Sequence, residues 1–280
     1  MTAREGTTNA IITLTTDFGL DDPYVAEMKG VMLRINARAS FLDVSHNVRP
    51  QRLLQAVFMT HSAWPWFPQG TVHIAVVDPG VGTDRRAVAL VTPSGCFVGP
   101  DNGVLSSALP EDVRPTAEQG LTRIQMPAGY HAFAITNRRF MIEPVSDTFH
   151  GRDIFSPTAA NLSLGAAPEE LGEPMETLLA FPPLRAQLRP DGTIQAQVIH
   201  IDRFGNIVTD VRAEDLPDGP FTMELGERTI PGPVRTYAEA AGLAALVGGS
   251  GFLEVAFPNG NAAAAIGIDI GATGLLQSDR

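Results

Sequence analysis

The chain has 280 residues, 44% hydrophobic and 18% charged, with a net charge of −11. That length suits one large domain or two medium ones with a core that can do without disulfides, and the composition is globular rather than disordered. So acidic a surface disfavours nucleic-acid backbones and anionic membranes as partners, and the single cysteine, Cys96, excludes an internal disulfide or a cysteine-rich zinc site.

Met1 to Ala10 lack the basic start and apolar core of a secretory leader. No run of about 18 apolar residues offers a membrane span, so the cytoplasm is the default compartment. Ile11 to Thr16 reads as a buried strand ending at Asp17-Phe18-Gly19. Asp22 and Pro23 are the N-cap and first position of a helix whose apolar stripe includes Val25, Met28, Val31 and Met32. Phe41 to His46 is a second strand. Pro50 opens a second helix, which ends near Trp64-Pro65 because proline disfavours helical geometry in the residue before it. Thr71 to Val77 is a third, strongly β-branched strand.

This strand–helix alternation predicts a parallel sheet covered by helices, with ligands bound beyond the carboxyl ends of its strands. Asp17 and Asp78 both fall at such ends. The stretch Asp78-Pro79-Gly80-Val81-Gly82-Thr83-Asp84-Arg85 has two readings. One is a plain turn, with Asp78 capping backbone amides and Arg85 in solvent. The other is a site in which glycines allow close approach to a ligand and Arg85 returns to face Asp78.

Ala87–Thr92 and Cys96–Val98 predict a hairpin, followed by the turn Gly99-Pro100-Asp101-Asn102-Gly103. Cys96, in an apolar run, is expected to be an inert core residue. Thr148-Phe149-His150-Gly151-Arg152-Asp153 precedes a helix over 154–164. His150 reads either as a loop histidine bonded to a neighbouring carboxylate or as a functional group at a helix start. Residues 165–183, rich in proline, glycine and acid, read as a linker region. From about 187 the pattern turns to short alternating strands. The fold expected is therefore an α/β domain over 9–183, with a mainly parallel sheet flanked by helices, and a smaller all-β domain over 187–277. Asp202-Arg203-Phe204-Gly205-Asn206 closes one strand and, taken alone, is better read as a hairpin turn.

Other chemistries lack their signatures. The six histidines show no metal-binding spacing, so no metal is expected. There is no nucleophile elbow, no P-loop and no dinucleotide-binding fingerprint.

The five motifs at Thr16-Asp17-Phe18-Gly19, Val77–Thr83, Gly99–Gly103, Thr148–Asp153 and Phe204-Gly205-Asn206 occur in that order. Together they resemble the S-adenosyl-L-methionine hydroxide adenosyltransferases, relatives of the fluorinase and chlorinase. The resemblance implies a barrel-like second domain and a homotrimer whose active sites lie between the first domain of one subunit and the second domain of its neighbour. It implies hydrolysis of S-adenosyl-L-methionine to adenosine and L-methionine, with no cofactor. By position, it implies a catalytic set of Asp78, Arg85 and His150. Asp17 would hold ribose hydroxyls, Asp202 the methionine amino group and Asn206 the nucleoside. Phe149, Gly151, Phe204, Tyr237, Ser250, Glu254, Phe257 and Asn259 fall at further substrate-binding positions. Two departures stand out: Gly248-Gly249 where relatives carry Asn-Ser, with Ser250 one step later, and Gln51 where some carry an aromatic residue. The competing readings are a non-catalytic binder of the nucleoside or of S-adenosylmethionine, and a halogenase. Halogenation is disfavoured because a carboxylate at the nucleophile position repels a halide.

Overall fold

The structure, a computed structural model, describes residues 11–279. The absence of a leader read from residues 1–10, and the start of the first domain at 9, lie outside the described residues. The chain divides into two compact units between Pro183 and Leu184.

The first unit runs β1 (Ile11–Thr16), α1 (Tyr24–Ile35), β2 (Ser40–Ser45), α2 (Leu53–Ala63), β3 (Thr71–Val76), β4 (Ala87–Val91), β5 (Gly95–Pro100), β6 (Thr122–Gln125), β7 (His131–Ala134), α3 (Ser156–Ser163), β8 (Pro174–Met175) and β9 (Thr177–Ala180). Its seven-stranded sheet has the order β2-β1-β3-β5-β4-β7-β8. The pairs β1–β2, β1–β3 and β3–β5 are parallel, and β5–β4, β4–β7 and β7–β8 are antiparallel. The parallel half is the part announced by strand–helix alternation; the antiparallel half begins at the β4–β5 hairpin. All six residues of β3 are buried, because both faces of the sheet are covered. Val72, Ile74 and Val76 face a core shared with Met28 and Met32 of α1 and Ala159 and Ala160 of α3. Ala75 and Val77 face the opposite core with Ala56 of α2 and with Val104 and Leu105.

Four local expectations need correction, the first being that Pro23 rather than Asp22 is the N-cap of α1, which starts at Tyr24 and has no side-chain cap. Residues 165–183 are not a linker: β8 pairs with β7, and β9 with β6. The composition that suggested a linker belongs to short edge strands. The second helix starts at Leu53 rather than Pro50, because Gln51 adopts a left-handed φ of 65°, which an α-helix cannot include. Before α3, Gly151–Phe155 forms a π-helical turn, so the α-helix itself begins at Ser156.

The second unit consists of β10 (Gln187–Leu188), β11 (Ile194–Ile201), β12 (Ile207–Arg212), β13 (Phe221–Leu225), β14 (Arg228–Gly232), β15 (Ala244–Val247), β16 (Phe252–Ala256), α4 (Ala262–Ile266) and β17 (Thr273–Ser278). Its antiparallel sheet has the order β14-β13-β17-β11-β12-β16-β15, with β10 on β11. The Val234 amide donates to the Ala245 carbonyl, joining the chain just after β14 to β15 and nearly closing the barrel. The interior is filled by alternate residues such as Ile194, Ala196 and Val198 of β11 and Phe221, Met223 and Leu225 of β13. The expected α/β unit followed by a barrel-like all-β unit is thus the observed class.

Candidate active site

In the first unit, β1 lies between β2 and β3, so connections leave β1 and β3 in opposite directions along the sheet. That switch point opens a crevice beyond the carboxyl ends of the strands. Asp17 follows β1 there, and Asp78 follows β3 by two residues. The two carboxylates are near enough for the charge on Asp78 to contribute to a raised pKa at Asp17. Burial is the larger cause, and the Gln51 amide, donating to Asp17 Oδ2 at 2.9 Å, opposes it.

Arg85 does return to face Asp78. Its Nε lies 3.1 and 3.0 Å from the two Asp78 carboxylate oxygens, and its Nη2 donates to Oδ2 at 2.5 Å. The same Nη2 donates to His150 Nδ1 at 2.5 Å. The side chains of Asp78 and Arg85 are only 5% and 10% exposed, and the guanidinium stacks over Phe155. One guanidinium therefore bridges a carboxylate and an imidazole brought together from residues 72 positions apart. An arginine always donates, so His150 Nδ1 must carry a lone pair. The ring is then neutral with its hydrogen on Nε2. Its pKa is lowered from the usual 6.5, first by burial and next by the charge on Arg85. Arg86 faces away: it donates to Asp101 at 2.9 and 2.5 Å and to the Thr177 carbonyl at 2.8 Å, fastening the residue just before β4 to the start of β9.

The turn between Asp78 and Arg85 is held by local geometry. Gly82 has φ 76°, and a Cβ there would overlap the Asp147 carbonyl. Its lack of a side chain lets the 78–85 turn press against the loop that carries His150. Gly80 has ordinary space around it. His150 then leads into the π-helical turn, a feature frequent at functional sites.

Phe149 packs edge-on against Phe18 and Tyr24, with centroids 5.8 and 5.1 Å away, and carries the Arg152 guanidinium over its face. A Cβ at Gly151 would meet Phe149, Phe18 and Met28 at 3.2–3.3 Å, so this glycine serves close packing. Phe18, Tyr24, Phe149 and Arg152 line an open cleft of about 370 Å³.

The other predicted residues belong to the second unit. Asp202 closes the β11–β12 turn as the plain reading held: its oxygens accept from the Phe204 and Asn206 amides at 2.8 and 2.9 Å and from Asn206 Nδ2 at 3.0 Å. Gly205 has φ 87°, and a Cβ there would collide with Asn261, which caps α4. Phe204 is 76% exposed and Phe257 is also exposed. Tyr237 donates to Glu254 Oε2 at 2.9 Å. Burial, aided by Asp202, raises the Glu254 pKa; burial and Glu254 push Tyr237 to about 12. Asp202, Tyr237 and Glu254 are therefore electrostatic neighbours. Ser250 Oγ is buried without a protein partner, and Asn259 has a left-handed φ of 57°.

Two contributors escaped sequence reading. One is the Gln51 backbone amide, whose role depends on φ rather than side-chain identity. The other is Gly248, where a Cβ would overlap the Glu254 carboxylate. The side chain missing at 248 leaves room that Glu254 fills. Among the described residues no cluster of metal-binding side chains occurs and no helix is long and apolar enough to cross a membrane.

Comparison with known proteins follows this division. Residues 12–172 match the SAM hydroxide adenosyltransferase N-terminal domain, and 196–273 match the C-terminal domain. The chain is 40% identical to an (R)-S-adenosyl-L-methionine hydrolase of Thermus thermophilus over 91% of its own length and 95% of that protein's. A fluorinase of Actinopolyspora mzabensis is more distant, at 25% identity over 74% of this chain and 73% of its own. A crystal structure of an uncharacterized conserved protein from Thermotoga maritima superposes with a TM-score of 0.82 at 29% identity, covering 96% of this chain and 100% of that one. The chain belongs to the SAM hydroxide adenosyltransferase family.

Proposed function

We propose that the protein hydrolyses S-adenosyl-L-methionine to adenosine and L-methionine, and that its substrates include the (R) sulfonium epimer named for its Thermus relative. The observation that carries this reading is the Arg85 bridge between Asp78 and His150. Sulfonium is already a good leaving group, so the protein's task is to hold a water in line with C5′. The water oxygen forms a bond to C5′ as the C5′–S bond breaks. The electron pair leaves on sulfur as the neutral thioether of methionine. His150, with Nδ1 occupied by Arg85, presents Nε2–H and orients the water as a donor. Asp78 accepts the proton that the water loses. Asp17 holds the ribose hydroxyls. Asp202, with Tyr237 and Glu254 beside it, forms the acidic surface suited to the methionine ammonium, and Asn206, Phe204, Ser250, Phe257 and Asn259 complete the nucleoside and methionine contacts. The reaction uses no cofactor. The assembly is a homotrimer, with the two residue sets supplied by neighbouring subunits, in the cytoplasm.

The test incubates the protein with each sulfonium epimer, with and without chloride or fluoride, and separates the products by chromatography. Adenosine and methionine in equal amounts are expected, unchanged by halide. A halogenated nucleoside would assign the chain to halogenation, and tight binding without turnover to a binder. Asp78→Ala should abolish turnover and leave substrate binding measurable; unchanged turnover would remove Asp78 from its role. Light scattering reads the trimer directly.

A further inference from the structure

His46 is buried at 3% exposure at the end of β2, on neither side of the proposed reaction. Its Nδ1 lies 2.8 Å from Thr16 Oγ1, and its Nε2 lies 3.1 Å from Asp43 Oδ1, off the best line for a hydrogen bond. Lys29 donates to the other Asp43 oxygen at 2.6 Å. Burial lowers the pKa of His46, so the ring is neutral. The carboxylate beside Nε2 favours the hydrogen there, which leaves Nδ1 to accept from the Thr16 hydroxyl. Thr16 Oγ1 in turn accepts from the Phe18 amide at 3.3 Å. Each polar atom in this chain of contacts has one role, and the residue it encloses is Asp17.

Three backbone-level bonds tie the same two loops together. The Gly19 amide donates to the His46 carbonyl at 2.8 Å, and the Val48 amide to the Thr16 carbonyl at 3.3 Å. The Gln51 amide reaches Asp17 itself, from a left-handed backbone that costs a non-glycine residue about 1–2 kcal/mol. A strained residue persists where its surroundings over-determine it. The loops after β1 and β2 are thus stitched around Asp17 at four places, and the His46–Thr16 pair is the stitch made by side chains.

We infer that His46 is a positioning residue which, through Thr16, aims the Asp17 carboxylate at the ribose hydroxyls and so sets preference for a nucleoside that carries them. This rests on the reading of Asp17 given above. The test compares adenosine with 2′,3′-dideoxyadenosine as inhibitors of hydrolysis. Thr16→Val keeps the shape of the buried side chain and removes the hydroxyl. It should weaken adenosine roughly five- to tenfold, the worth of one ordinary hydrogen bond, with dideoxyadenosine changed by less than about twofold. The KM for S-adenosylmethionine should rise by the same factor while kcat stays within about twofold, as for loss of uniform binding. His46→Leu should do the same. Thr16→Ser and His46→Asn, which restore a hydroxyl and a side-chain acceptor, should recover most of the preference. A merely structural role would weaken both inhibitors alike and overturn the inference. Asp17→Ala separates the two ways of failing. If it abolishes the preference while Thr16→Val and His46→Leu keep it, the positioning role is wrong. If it too leaves the preference intact, the ribose reading of Asp17 is wrong, and the inference falls with it.

Discussion

Replacing Arg85 with lysine tests the bridge at its narrowest point. The guanidinium presents a rigid fork that meets both oxygens of Asp78 and still reaches His150 Nδ1. A lysine ammonium keeps the charge but is a compact point on a flexible stem. It can serve the carboxylate or the imidazole, not both. A hydrogen bond involving a charged group contributes about 1.5–3 kcal/mol, so kcat should fall roughly 10- to 100-fold. Lysine is preferred to alanine because Asp78 is 5% exposed, and leaving it unpaired would cost about 3–5 kcal/mol of stability and blur the result. The assay follows adenosine by chromatography under saturating substrate, with a thermal melt showing the variant folded. A pH profile adds a second reading. Protonating His150 would put a hydrogen on Nδ1, facing the Arg85 donor, so activity requires the neutral ring and declines on the acid side. Because burial and Arg85 both lower the His150 pKa below 6.5, the acid limb of kcat/KM should lie below pH 6.5 in the native enzyme. Arg85→Gln removes the charge and should move that limb to higher pH. A folded Arg85→Lys enzyme with half the native kcat or more, or an acid limb that moves downward in Arg85→Gln, would refute the bridge.

Two further outcomes follow from the barrel. Asp210 on β12 accepts from the Gln197 amide at 2.7 Å, and burial raises its pKa to about 6. A folded pKa above the unfolded value means that its contribution to stability is complete below the ordinary 3.8 and is lost as pH rises through about 6. Asp210→Asn should therefore raise the thermal midpoint at pH 7–8, by at most about 3 kcal/mol in stability, and give no gain near pH 4; equal shifts at both pH values would contradict it. Gly248→Ser places a side chain where the Glu254 carboxylate lies, so Glu254 must move and its bond from Tyr237 must break. The expected result is a higher KM for S-adenosylmethionine with a folded barrel, and an unchanged KM would show that Glu254 does not serve the substrate.

Much of this protein is determined by local sequence alone. The β-branched run before Asp78 points to a strand buried on both faces, because a sheet covered on both sides buries consecutive residues. Strand–helix alternation up to β3 carries the parallel half of the sheet, and strand ends place Asp17 and Asp78 at one edge. Ordered motifs are enough to indicate the family. What local pattern cannot carry is any contact between residues far apart in the chain. That Arg85, and not its neighbour Arg86, meets both Asp78 and His150 was decided by how the residues just before β4 are turned. The tautomer of His150 follows from that contact. The edge strands at 174–180 looked like a linker, because proline, glycine and acid at a sheet edge resemble those of a connection. Gln51 and Gly248 were read as departures in side chain. The tertiary structure gives them a backbone amide aimed at Asp17 and a space filled by Glu254. Periodicity reports which way a residue faces, whereas a site depends on which distant residue it meets, and only the folded chain decides that.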